Sequence, residues 1–68
     1  MFLMNMLINL LRERYSGFVF TLNRGVFLWE LRCFEDHRER WCLRGRKTEI
    51  EREMRYLLDA ARDPMPSV

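Results

Sequence analysis

The side chains that could perform catalysis are few, and none has the spacing that a catalytic site requires. The hydroxyl groups of Ser16, Thr21, Thr48 and Ser67 could act as nucleophiles only beside a base, and no motif places the single histidine, His37, next to them. The sequence also contains no phosphate-binding glycine loop and no calcium-binding loop. We therefore expect a protein that is not an enzyme and needs no cofactor.

The two cysteines, Cys33 and Cys42, lie in two alternating apolar segments that are predicted to be neighbouring strands. Our predicted register places them on opposite faces of one sheet, where a disulfide cannot form. No second histidine or paired-cysteine spacing accompanies His37, so we expect no metal site. We therefore expect a cytoplasmic protein in which both cysteines are small, buried thiols.

Basic residues dominate the middle of the chain. Between Arg24 and Lys47 there are seven basic and four acidic side chains, a local excess of +3, although the whole chain carries only +2. So small a total charge does not require a nucleic-acid partner. Guanidinium groups are also enriched at protein interfaces. The residues predicted to contact a partner are Arg32, Arg38, Arg40, Arg44 and Arg46.

The first part of the chain is predicted to form a strongly apolar helix within residues 1–15. Its apolar run from Met1 to Leu11 is too short to span a membrane, and the charged residues that follow it do not resemble a signal-peptide cleavage site. We expect no membrane partner. Ser16 and Gly17 are predicted to end the helix, with Gly17 in the left-handed conformation.

Residues 17–45 are predicted to form a three-stranded antiparallel meander, because short alternating segments rich in aromatic and branched residues are separated by turns. In the second hairpin, pairing Leu31 with Leu43 places these apolar side chains on one face of the sheet. The same pairing places Glu30 opposite Arg44 on the other face. In the first hairpin, a two-residue turn at Arg24-Gly25 would align two aromatic or aliphatic pairs. These pairs are Phe20 with Trp29 and Leu22 with Phe27.

A second helix is predicted over residues 48–62. Thr48 followed by Glu51 has the spacing of a capping box. Apolar residues then recur at helical spacing to form a buried stripe: Ile50, Met54, Leu57, Leu58 and Ala61. The predicted fold class is α+β, in the order α-β-β-β-α, as a single small domain of residues 1–68 with a frayed tail at 63–68.

The N-terminal helix carries more apolar surface than half of a small sheet can cover. Two arrangements could cover it: packing against the sheet within one copy, or pairing across a two-fold axis. The second arrangement would also add stability to a small core, so we expect a homodimer. Leu7, Leu10 and Leu11 are the residues predicted at the self-interface.

These observations predict a non-catalytic binding protein that acts through contacts with a host protein or protein complex. Proteins of this size are often accessory factors of phages or plasmids that inhibit a host machine, including anti-CRISPR proteins. The alternative is a nucleic-acid-binding protein that uses the arginine-bearing face of its sheet. In topology, three strands followed by a helix resemble the small DNA-binding domains attached to phage integrases, but fold alone does not imply function.

Overall fold

The computed structural model describes residues 2–62, so the predicted tail at 63–68 lies outside the described residues. Within this part, the chain forms a helix, an antiparallel three-stranded sheet of order β1-β2-β3 and a second helix. The elements are α1 (Phe2–Arg14), β1 (Val19–Arg24), β2 (Trp29–Glu35), β3 (Arg38–Gly45) and α2 (Lys47–Arg62). The predicted α+β fold class and element order are confirmed.

Both helices pack on the same face of the sheet and against each other. The core that they enclose consists of Met4, Leu7, Ile8, Leu11, Phe20, Leu31, Cys33, Ile50 and Met54. A hydrogen bond of 2.7 Å from the Tyr15 hydroxyl group to the carbonyl oxygen of Leu57 joins the chain just after α1 to α2. The second face of the sheet, which we call the open face, has no helix packed on it among the described elements.

This packing removes most of the apolar surplus from which a homodimer was predicted. Leu7 and Leu11 are 4% and 0% exposed within a single copy, and only Leu10 among the three predicted interface residues is half-buried. The reason is that α1 shares one sheet face with α2, so that its apolar side meets both the sheet and the other helix. Association of two copies stays a prediction.

The second hairpin has the predicted register. Leu31 pairs with Leu43 and Glu30 with Arg44, and the hairpin closes through a two-residue turn at Asp36 and His37. Both turn residues have positive φ, 51° and 64°, as a type I′ turn requires. The pairing shifts by one residue between Cys33 and Phe34, which makes Arg40 an extra residue on β3.

The first hairpin differs from the prediction. Phe20 pairs with Cys33 and Leu22 with Leu31, so the turn is centred two residues later than expected. The shift keeps the side chains of β1 and β2 on their predicted faces, because each strand moves by an even number of residues, but it moves Phe27 out of the strand and into the turn. It also aligns the core-facing residues of all three strands in straight rows beneath the helices. The rows are Phe20, Cys33 and Trp41, then Leu22, Leu31 and Leu43.

The helix ends also correct two details of the prediction. Gly17 does not have positive φ; a hydrogen bond from the Phe18 amide to the Tyr15 carbonyl oxygen forms the turn after α1. The capping carboxylate of α2 is that of Glu49, which accepts a hydrogen bond of 2.9 Å from the Arg46 amide. The helix therefore begins at Lys47, one residue before the predicted start.

Candidate functional site

The most exposed apolar side chains of the described residues lie in the loop between β1 and β2. Val26 and Phe27 are 91% and 87% exposed, and Leu28 is 47% exposed. The Gly25 amide donates a hydrogen bond of 2.8 Å to the carbonyl oxygen of Leu28, which closes the loop at its base. A Cβ atom at residue 25 would lie 2.7 Å from that oxygen, so this turn geometry requires glycine.

The loop borders a shallow cavity of about 380 Å³ at one end of the sheet. The Arg24 guanidinium group lies 5.8 Å from the centre of the Trp29 ring, a cation–π distance, and Arg44 also lines the cavity. We call this area the loop surface and define it by six residues. They are Arg24, Val26, Phe27, Leu28, Trp29 and Arg44.

A network of ion pairs lies on the open face beside the loop surface. Glu30 Oε1 accepts a hydrogen bond of 2.6 Å from Arg32 Nε, and Glu30 Oε2 accepts one of 2.7 Å from Arg44 Nε. These hydrogen bonds, first that of Arg32 and then that of Arg44, lower the pKa of Glu30 from 4.5 to about 2. The same bonds raise the pKa of both guanidinium groups.

This network leaves no excess of positive charge on the paired residues of the open face. Arg32 Nη1 also lies 3.3 Å from Glu39 Oε1, so Glu30 and Glu39 together match the charges of Arg32 and Arg44. Arg32 and Arg44, two of the predicted contact residues, therefore already donate some of their hydrogen bonds within the chain.

The five predicted contact arginines do not form one cluster. Arg40 lies at the irregularity of β3 and pairs with Glu35 at 3.3 Å, rather than with Glu30. Arg38 begins β3 and Arg46 follows its end; both are exposed, and within residues 2–62 neither forms an ion pair. The structure thus spreads these side chains along β3 and the adjacent open face.

The apolar part of the loop surface was not predicted. The predicted pairing of Leu22 with Phe27 places Phe27 in the second strand, whereas Val26 and Phe27 both lie in the exposed loop. The sequence does contain a signal for this: Val26, Phe27, Leu28 and Trp29 are four consecutive apolar residues, which breaks the alternation of a half-buried strand. Of the loop surface, only Arg44 was predicted.

The thiols lie apart from this surface, on opposite faces of the sheet as predicted. Cys33 is buried in the core, where burial raises its pKa, but Cys42 is exposed, so the prediction that both thiols are buried is wrong for Cys42. In residues 2–62, no three side chains that commonly bind metals come together. Among the same residues, neither helix has the length and apolar character needed to cross a membrane.

Comparisons with known proteins give no further information on the site. No known protein family, curated protein sequence or solved structure matches this chain.

Proposed function

We propose that this chain is a non-catalytic binding protein that recognises another protein through the loop surface. The observation that carries the proposal is the exposure of Val26 and Phe27, which are about nine-tenths accessible at the tip of a hairpin. Burying such a side chain in a partner contributes about 1.5 to 3 kcal/mol. Two adjacent apolar side chains exposed to this degree form an apolar patch that a partner can cover.

The neighbours of these two residues support a protein as the partner. The Arg24 guanidinium group lies over the Trp29 ring at the base of the loop, and Arg44 also lines the cavity. Tryptophan and arginine are among the side chains that most often dominate the binding energy of protein interfaces. The open face, by contrast, carries balanced charge, which gives little attraction for phosphate groups.

Photochemical crosslinking can test this proposal directly. The full chain with a benzophenone amino acid at position 27 is added to extract of the source cell and irradiated. We expect a discrete crosslinked protein whose yield falls strongly when Val26→Ser is also present. The matched control carries the same group at position 56, because Tyr56 is an aromatic residue that is 65% exposed on α2, away from the loop.

Sedimentation with lipid vesicles separates this proposal from a lipid-binding role for the same loop. We expect the chain to stay in the supernatant with both neutral and anionic vesicles. Binding to vesicles that is lost in Phe27→Ser, together with no discrete crosslinked protein, would contradict the proposal. The more specific prediction of a phage-encoded inhibitor of a host machine stays a prediction and would be decided by the identity of the crosslinked partner.

A further inference from the structure

The two edges of the sheet differ in how their backbone groups are satisfied. At the β1 edge, the Arg12 guanidinium group donates hydrogen bonds of 3.3 and 3.1 Å to the carbonyl oxygen of Phe20. At the β3 edge, no described residue donates to or accepts from the outward backbone groups of the strand. An edge of this kind can pair with a further strand.

The outward groups of β3 can be identified from the hydrogen-bond pattern. The bond from the Gly25 amide to the Leu28 carbonyl oxygen shows that Leu28 directs its backbone groups toward β1. Because this direction alternates along an antiparallel strand, Leu31 directs its groups toward β3 and meets Leu43. The amide and carbonyl groups of Cys42 and Arg44 therefore point outward, and both residues are exposed.

A groove beside this edge can accept apolar side chains. It has a volume of about 290 Å³ and lies between β3 and α2. Trp41 and Leu43 line it from the strand, Leu57 lines it from the helix, and Glu53 is its acidic member. A strand paired with β3 would direct alternate side chains toward this groove and the others toward the open face.

The charges along β3 favour an acidic partner. From Arg38 to Lys47 there are five cationic side chains and one carboxylate, that of Glu39. The cations are Arg38, Arg40, Arg44, Arg46 and Lys47. Arg40 and Arg44 pair with Glu35 and Glu30 of β2, whereas within residues 2–62 the other three form no ion pair and carry the excess charge. Pairing with the β3 edge of a second copy would bring two such sets of cations together, which is unfavourable. The same charges would favour an extended segment that carries carboxylates.

We propose that the outer edge of β3 binds an extended acidic segment of a partner protein as a fourth strand of the sheet. Its backbone pairs with the outward groups of Cys42 and Arg44, and its apolar side chains enter the groove of Trp41 and Leu57. Its carboxylates lie near the cations at the two ends of β3, which are Arg38, Arg46 and Lys47. The proposal shares only Arg44 with the loop surface, through its backbone groups, and uses none of the exposed apolar residues of the loop, so each of the two proposals can fail without the other.

The test uses a fluorescein-labelled peptide in which valine alternates with glutamate, and fluorescence anisotropy of its mixture with the full chain. We expect saturable binding at low salt that weakens as salt is added. A further peptide carries N-methyl groups on all valines and all glutamates, because reversing the strand direction exchanges which of the two sets of amides faces β3. This peptide should lose binding. Undiminished binding of the methylated peptide would overturn the proposal.

Amide hydrogen exchange locates the bound peptide. In the free chain, the amides of Cys42 and Arg44 should exchange rapidly and those of Trp41 and Leu43 slowly, because only the latter face β2. Addition of the unmethylated peptide should slow the exchange of Cys42 and Arg44. Binding without this protection, or no binding at low salt, would overturn the proposal.

A charge variant and its control test the role of the arginines. Replacing both Arg38→Gln and Arg46→Gln should weaken peptide binding about threefold or more, because each exposed ion pair contributes a fraction of a kcal/mol. Arg52→Gln removes an exposed cation from α2 and should leave the affinity unchanged. Equal weakening by Arg52→Gln, or equal competition by a single-stranded oligonucleotide of the same charge, would show nonspecific attraction of polyanions and overturn the proposal.

Discussion

Glu30 and Arg44 face each other across β2 and β3, and the Arg44 Nε donates a hydrogen bond of 2.7 Å to Glu30 Oε2. The other oxygen of the same carboxylate accepts from Arg32, which is two residues away on the same strand. One carboxylate thus fixes two guanidinium groups beside the loop surface. It therefore fixes the orientation of the Arg44 guanidinium group at the edge of the loop surface.

The ionisation of Glu30 should make stability depend on pH. Because its pKa is lowered to about 2 in the folded chain from 4.5, the folded state favours the charged form. This contribution is fully present above about pH 4.5 and is lost as the pH falls toward 2. We expect the urea midpoint to fall less in Glu30→Gln than in the wild type over this range. Parallel curves for the two proteins would contradict the assigned hydrogen bonds.

The two thiols should differ sharply in reactivity. Cys42 is exposed, whereas Cys33 is 3% exposed and its pKa is raised by burial, which disfavours the thiolate. With a thiol reagent at neutral pH, we expect one fast reaction in the native chain and two thiols after denaturation without reductant. Cys42→Ser should remove the fast phase alone. A disulfide in the purified chain would contradict the sheet register.

Two neighbouring leucines of α1 distinguish a core role from a self-interface. Leu11 is fully buried, and we expect Leu11→Ala to lower the free energy of unfolding by about 2 to 5 kcal/mol. Leu10 is half-buried, so Leu10→Ala should cost about 1 kcal/mol or less. Urea denaturation measures both. A wild-type dimer in sedimentation that Leu10→Asp separates into folded monomers would instead support association through this helix.

Gly25 and Gly17 form a matched pair for testing the loop geometry. A methyl group at residue 25 would meet the Leu28 carbonyl oxygen, whereas nothing lies within 4 Å of a Cβ atom at residue 17. We expect Gly25→Ala to destabilise the chain by more than about 1 kcal/mol, and Gly17→Ala to be neutral or stabilising by about 0.4 to 1 kcal/mol. Thermal or urea denaturation provides the comparison, and equal effects at both positions would contradict the described turn.

The sequence predicts the second hairpin well because polarity distinguishes its registers. Only one alignment places Glu30 beside Arg44 and keeps Leu31 and Leu43 on the core side. In the first hairpin, polarity does not distinguish one register from another. Moving its turn by two residues on each strand leaves the side chains that remain in the strands on the same face, so the pattern of polarity fits both alignments. The alignment of core residues beneath both helices is a tertiary effect that no local pattern contains.

The same limit explains what was missed at the candidate site. Arg44 is recognisable because the predicted register places its charge opposite Glu30, but the exposure of Phe27 follows from the position of the turn. Likewise, the apolar face of α1 has the same sequence pattern whether it meets this sheet or a second copy. The choice between these partners depends on α2 packing beside α1, which joins segments distant in sequence.

The paired charges of the open face also lead to a prediction about nucleic acids. Glu30 and Glu39 neutralise Arg32 and Arg44, so duplex DNA should bind weakly even at low salt. Arg40→Ala and Arg44→Ala should then have little effect on that weak binding, measured by anisotropy of a labelled duplex over a range of salt concentrations. If the sheet face does bind nucleic acid, each variant should instead reduce the salt slope by about 1, because one phosphate contact is lost. That result would favour the nucleic-acid hypothesis over protein binding, because it would show that a DNA phosphate group replaces the carboxylate as the partner of the arginine.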